Sequence, residues 1–207
     1  KPDLNTLEVI RKQLAVTELD QRVFPEAGSC MIKHEYQNET GSHKDRAALY
    51  QVTKAMTENA PAVVIPSSGN AAIAVAAAGA KTGMPVYAFL SPGTHPGKIQ
   101  AMIKFKPGLI IVDKPINRAR NISRRLGFQN LRPSRDPRAI EGFMSLGFEI
   151  AEQDSDQAIT DVFMFSTSGA TLLGLFEAFR HLIRSKKRKR LPRLHAVQAG
   201  KAIELAQ

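Results

Sequence analysis

HEYQNETGSHKDRAALY, residues 34–50, is the stretch on which the reading of this chain turns. Its centre, Thr40-Gly41-Ser42-His43-Lys44-Asp45-Arg46, is a polar turn that holds a glycine. An Ala/Leu-rich run follows and predicts a helix, with Ser42 as the residue whose hydroxyl caps the free N–H groups of its first turn. Lys44 then falls in that first turn, where the helix dipole favours negative charge over positive. The same field, together with an apolar pocket, lowers the pKa of a lysine and frees its amine for nucleophilic chemistry. A neutral lysine amine is what a Schiff base with an aldehyde requires. Taken by itself, Lys44 reads as a solvated lysine on a helix face.

Outward from this turn the chain alternates. Upstream, Leu4–Leu19 predicts a helix followed by a loop, and Cys30–Lys33 a short apolar strand leading into the turn. Downstream, Lys44–Glu58 has apolar residues at helical spacing. Ala62–Ile65 is a β-branched run suited to a buried parallel strand, Pro66–Gly69 a turn, and Asn70–Thr82 an alanine-rich helix closed near Gly83. Strands at Pro85–Leu90 and Leu109–Val112 follow, with helices at Gly97–Phe105 and Pro115–Leu126. Phe128–Pro137 reads as a connector. Beyond it come a helix over Arg138–Gln153, a strand at Asp161–Phe165, a turn at Ser166–Ala170, a helix over Thr171–Ile183 and a strand at Leu194–Val197. A further helix is expected to begin before Gln207. Strand–helix alternation with short loops predicts an open parallel α/β sheet, with ligands at the carboxyl ends of its strands.

The 207 residues suffice for one large domain or two small ones, and 43% hydrophobic with 23% charged residues is a globular balance. No apolar run approaches the roughly 18 residues of a membrane span, and the polar start is unlike a signal peptide. A chain beginning at Lys1 is expected to have lost its native start. A lone cysteine, Cys30, excludes an internal disulfide and fits a reducing cytoplasm. The five histidines show no ligand spacing, so no metal site is expected. The net charge of +10 is concentrated in Arg180–Arg193. That run, centred on Lys186–Arg190, suits a solvated helix end better than a nucleic-acid surface, because no aromatics interleave it.

Two further turns stand between a strand and a helix. Ser67-Ser68-Gly69-Asn70 and Ser166-Thr167-Ser168-Gly169-Ala170-Thr171 each offer hydroxyls and unpaired N–H groups at a helix start, a ready anion site. Ordinary helix capping would use the same residues.

Asn38-Glu39-Thr40-Gly41-Ser42-His43-Lys44-Asp45-Arg46 resembles the Asn-Pro-Thr-Gly-Ser-x-Lys-Asp-Arg motif of the fold-type II pyridoxal phosphate (PLP) enzymes, with Glu39 in place of proline. That family is typified by threonine synthase, cysteine synthase and serine/threonine dehydratase. The resemblance makes Lys44 the residue that carries PLP and moves the substrate's α-proton. It makes Ser67, Ser68, Gly69 and Asn70 the loop that holds the substrate carboxylate, with Asn70 also touching the pyridine 3′-oxygen. Ser166, Thr167, Ser168, Gly169, Ala170 and Thr171 take the place of the glycine-rich phosphate loop, with Thr167 and Ala170 replacing glycines. Ala71-Ala72, Glu141-Gly142 with Phe148-Glu149-Ile150 and Glu152-Gln153, and Leu191-Pro192 with Val197-Gln198-Ala199 resemble threonine synthase in particular. Glu149 and Glu152 read as helix-face carboxylates rather than an acid/base pair.

The resemblance implies the two-domain fold-type II architecture, with open parallel sheets flanked by helices. Residues 1–51 and 140–207 would begin a large PLP-binding domain and 52–139 would be a small domain inserted in it. Family members continue beyond the point matching Gln207, so the large domain is expected to be incomplete and to leave an open sheet edge. The missing part supplies the group facing the pyridine nitrogen. The function implied is a PLP-dependent lyase of threonine biosynthesis, threonine synthase-like on O-phosphohomoserine, working as a cytoplasmic homodimer. For a second phosphate, His43, Arg46 and Lys98 are the nearby cations, with Arg46 better suited to a structural role, pairing with a carboxylate. Dehydratase or cysteine synthase-like chemistry is the alternative. A catalytically silent homologue that binds PLP or a partner is another, suggested by Glu39, Thr167 and Ala170.

Overall fold

Val63, Val64 and Ile65 have no exposed surface, as a strand covered on both faces by helices requires. They form β3 (Val63–Ile65), the centre of a four-stranded parallel sheet, in a computed structural model that describes residues 2–26 and 28–198. Ala199 of the expected last strand motif and the helix expected before Gln207 lie outside the described residues. β4 (Val86–Leu90) pairs with β3 in the register Val63↔Val86, and β5 (Gly108–Ile111) pairs with β4. The crossovers are α3 (Asn70–Thr82), α4 (Pro96–Ile103) and α5 (Pro115–Leu126). On the other side of β3 lies β6 (Gln129–Asn130), inside the stretch expected to be a connector. Two polar residues carry no strand pattern. They pair because the Gln129 N–H reaches Ala62 O at 3.1 Å and the Leu131 N–H reaches Val64 O at 2.9 Å.

Four further α-helices lie among the described residues. They are α1 (Leu4–Arg11), α2 (Lys44–Thr57), α6 (Arg138–Gln153) and α7 (Ala170–Arg184). One hydrophobic cluster joins Leu7 of α1, Val52 of α2, Val75 of α3, Leu90 of β4, Phe148 of α6 and Ala178 of α7. α6 approaches α2 closely at Gly142, where a Cβ would lie 2.7 Å from Ala47 Cα and 2.9 Å from Arg46 O. The glycine of the Glu-Gly motif is therefore a packing requirement between two helices.

β7 (Asp161–Phe165) and β8 (Arg193–Val197) form a separate parallel pair. Phe163 and Phe165 of β7 are 69% and 59% exposed. Near the N-terminus β1 (Leu19–Phe24) runs antiparallel to β2 (Gly28–Lys33), in the register Leu19↔Lys33 to Phe24↔Gly28. β1 is absent from the sequence expectation. LDQRVF is mostly exposed, so the ladder to β2 rather than a buried face makes it a strand.

Candidate active site

The turn before α2 is closed by its own residues. Gly41 has φ 77°, a left-handed conformation that a side chain would resist. Asp45 accepts from the Thr40 N–H at 2.7 Å and from the Thr40 hydroxyl. The Ser42 hydroxyl accepts from the Lys44 N–H at 3.1 Å, so it does satisfy a free donor. The residue immediately before the helix, however, is His43.

Lys44 is half-buried, with its amine 5.1 Å from the centre of the Phe143 ring. Burial lowers its pKa from the usual 10.5 to about 8. The cation–π contact favours the charged form, but desolvation outweighs it. The adjacent His43 is pulled to about 4 by burial and then by Lys44, so it is neutral at pH 7 and is no phosphate-binding cation. Its ring also faces Phe143, at 5.6 Å.

Arg46 is the structural, carboxylate-pairing residue that the sequence points to. It has no exposed surface. Nε and Nη2 donate to the two oxygens of Glu35 at 2.7 and 2.8 Å. Nη1 and Nη2 donate to the two oxygens of Glu149 at 3.0 and 2.9 Å. Lys33 Nζ adds a bond to Glu149 Oε1 at 2.6 Å. Two cations and two carboxylates thus tie β2, the turn at residues 35–37, α2 and α6 into one cluster. Burial alone would push Glu149 up, but Arg46 and then Lys33 hold it at about 2. Glu149 is therefore a buried ion-pair partner, whereas Glu152 bonds Arg11 on the surface at 2.5 Å. Arg46 is used up in this network and is not available to a substrate phosphate. Sequence proximity hides these pairs: Arg46 and Glu149 lie 103 residues apart.

The turn at residues 166–169 leads from β7 into α7. Gly169 precedes the helix with φ 72°, and its N–H donates to the Ser166 hydroxyl at 3.1 Å. The helix start has no side-chain cap, and the first N–H to find its intrahelical partner is that of Leu173, on Gly169 O at 2.9 Å. The N–H groups of Ala170, Thr171 and Leu172 thus form the positive end of α7, flanked by the hydroxylated residues Thr167, Ser168 and Thr171. Ala170 packs in one small cluster with Ala47, Ala139 and Phe143. Phe143 thus faces the Lys44 amine and belongs to the cluster that takes in Ala170, the first residue of α7.

The turn at residues 67–69 stands at the carboxyl end of β3, with the Gly69 N–H on Ser67 Oγ at 3.3 Å. Asn70 begins α3, and its Oδ1 accepts from Lys98 Nζ at 2.7 Å. Lys98 is exposed, and of the three expected cations it is the one that bonds Asn70.

The basic run is not wholly a solvated helix end. Arg188 is buried, donates to Asp154 at 2.7 Å and lies over the Phe179 ring at 5.1 Å. Lys186, Lys187, Lys189 and Arg190 are exposed. Among the described residues no helix is long and apolar enough to cross a membrane.

A half-buried lysine amine of lowered pKa beside Phe143, and an uncapped helix start flanked by hydroxyls whose Ala170 shares the Phe143 cluster, fit an aldehyde that carries a phosphate. A family model for pyridoxal-phosphate dependent enzymes matches residues 14–207. A threonine synthase of Methanosarcina acetivorans is 31% identical over 173 residues, covering 81% of this chain and 42% of that protein. The structure of an O-ureido-L-serine synthase superposes with a TM-score of 0.82 at 21% identity, covering 96% of this chain and 65% of that one. Threonine deaminase isoform 2 from Solanum lycopersicum superposes with a TM-score of 0.80 at 21% identity, covering 95% and 58%. These likenesses show the α/β architecture of fold type II. The chain spans about half the length of the curated relatives it matches.

Proposed function

The chain belongs to the pyridoxal-phosphate dependent enzyme family, and from that premise we propose that it is part of an enzyme working on amino acids by elimination and replacement. The observation that carries the reading is Lys44: its amine, with a pKa of about 8, lies against Phe143, which shares a hydrophobic cluster with Ala170 at the start of α7.

Lys44 would hold the cofactor. Ser166, Thr167, Ser168, Gly169, Ala170 and Thr171 would hold its phosphate, through the free N–H groups of α7 and the neighbouring hydroxyls. Bound there, PLP supplies an electron sink for negative charge developing at the substrate's α-carbon. Ser67, Ser68, Gly69 and Asn70 would bind the substrate carboxylate with hydroxyls and N–H groups at the start of α3. The Lys44 amine, once free, would take the α-proton and return it; at pH 7 a pKa near 8 leaves about one amine in ten neutral. The buried Arg46–Glu149–Glu35 cluster fixes the helix that carries Lys44.

A threonine synthase-like reaction on O-phosphohomoserine is the finer reading, supported by the relatives of that name and by the Glu141-Gly142 and Phe148–Gln153 stretches. A second reading, simple β-elimination, is suggested by the likeness to threonine deaminase. The proposal includes residues 52–139 as a small domain set within a cofactor-binding one, and a cytoplasmic homodimer.

Absorbance of the full chain with PLP, followed by borohydride reduction and peptide mapping, tests the cofactor role. A visible band, a reduced adduct on Lys44 and loss of both in Lys44→Ala are expected. An adduct on another lysine would sink it. Turnover of O-phosphohomoserine against threonine and O-acetylserine then separates the reactions.

A further inference from the structure

Asn70 is a side chain with two different ends. Its Oδ1 accepts hydrogen bonds and its Nδ2 donates them. Lys98 Nζ lies 2.7 Å from Oδ1, from a helix that starts 26 residues further along the chain than α3. An ammonium has donors only, so the oxygen of the amide must be the end that faces it. The orientation of Asn70 is then set by chemistry, and Nδ2 is the end left for a ligand. A cation on the carbonyl oxygen also draws electron density out of the amide and strengthens its N–H donors.

The backbone that presents Lys98 is itself tied down. Thr94 is buried, and its hydroxyl and N–H donate to Ser91 O at 2.8 and 3.0 Å. The His95 ring accepts from the Gly97 N–H at 3.1 Å, and the Lys98 N–H reaches His95 O at 2.9 Å. Ser91 directly follows β4, and β4 is hydrogen-bonded to β3, the strand that leads to Asn70. The ammonium and the amide are thus delivered by neighbouring strands of one sheet.

We propose that Lys98 is a positioning residue that turns Asn70 into a donor-only group, so that the start of α3 reads an oxyanion. Resting on the function proposed above, the oxyanion is the phenolate oxygen of the bound pyridoxal ring. Lys98 is assigned no contact with ring or substrate. Its effect passes through the amide.

The test is a pH titration of the visible absorbance band in the full chain loaded with PLP. The parent is compared with Lys98→Met, Lys98→Arg, Asn70→Ala and the Lys98→Met/Asn70→Ala double variant. A donor to the phenolate oxygen stabilises its charge and makes the conjugated nitrogen less basic, so losing it raises the midpoint of the titration. Lys98→Met is expected to raise the midpoint by about one pH unit, and Lys98→Arg to restore it towards the parent. Lys98→Met is expected to add nothing once Asn70 is alanine. An unchanged midpoint in Lys98→Met would overturn the proposal while leaving the cofactor reading intact. A shift of equal size with and without Asn70 would also overturn it, because the cation would then act through space. A parent without any band would sink the cofactor reading and this inference together.

Discussion

Glu149→Gln keeps the shape of a buried side chain and removes its charge. Arg46 and Lys33 would then share one carboxylate, Glu35, in a site where Arg46 has no exposed surface and Glu149 only 7%. Breaking a buried ion pair by removing one partner costs about 3–5 kcal/mol, because the other charge stays behind without compensation. A second route to the magnitude uses protonation. Burial pushes the Glu149 carboxyl up, yet its partners hold it at about 2 against an ordinary 4.5. At about 1.36 kcal/mol per pH unit that difference is worth about 3 kcal/mol. The two routes agree on a loss of about 3 kcal/mol at pH 7, or about 6–12 °C in Tm for a chain of this length. Because the folded pKa is depressed, the stabilisation is complete above the unfolded value of 4.5 and is lost as pH falls through about 2. Urea unfolding of the full chain, followed by circular dichroism at several pH values, reads both features. A gap below about 1 kcal/mol at pH 7, or one that does not narrow in acid, would refute the reasoning.

Other consequences are as direct. Lys44 should react with trinitrobenzenesulfonate with a midpoint near pH 8; peptide mapping that shows it titrating with the exposed lysines would contradict its burial. Gly142→Ala puts a methyl 2.7 Å from Ala47 Cα and 2.9 Å from Arg46 O, backbone atoms that cannot swing aside. It should cost about 1–3 kcal/mol in urea unfolding and weaken PLP binding by moving α2. Gly93→Ala, with nothing within 4 Å of the new methyl, should stay within about 0.5 kcal/mol of the parent. Arg188→Met strands Asp154, whose side chain is 1% exposed, and should cost about 3 kcal/mol. Adding Asp154→Asn should recover part of that loss if the pair is the cause, and none if Arg188 acts through Phe179 alone.

Local patterns settled much of the architecture. α3 and α5 span the residues that their spacing predicts, from Asn70 and Pro115 to the residues before Gly83 and Gly127. α6 and β7 also have the expected bounds, Arg138–Gln153 and Asp161–Phe165. Elements with a strong apolar period and clear stops are legible because their stability is mostly decided within one or two turns. β1 and β6 were not legible, since each is a strand only by virtue of its partner's hydrogen bonds. The turns at residues 67–70 and 166–171 could be read as anion sites or as caps, and the family resemblance rather than the local pattern chose between these.

The chain by itself determined where the candidate groups stand: Lys44 in the first turn of a helix, and hydroxyls with glycine at two strand-to-helix turns. Only the tertiary structure decided their condition. It made Lys44 an amine with a pKa of about 8, His43 a neutral ring and Glu149 an ionised partner of Arg46. It also set Lys98 on the carbonyl oxygen of Asn70. The reason is physical: protonation and hydrogen-bond orientation answer to burial and to distance in space, and neither is carried by separation along the sequence.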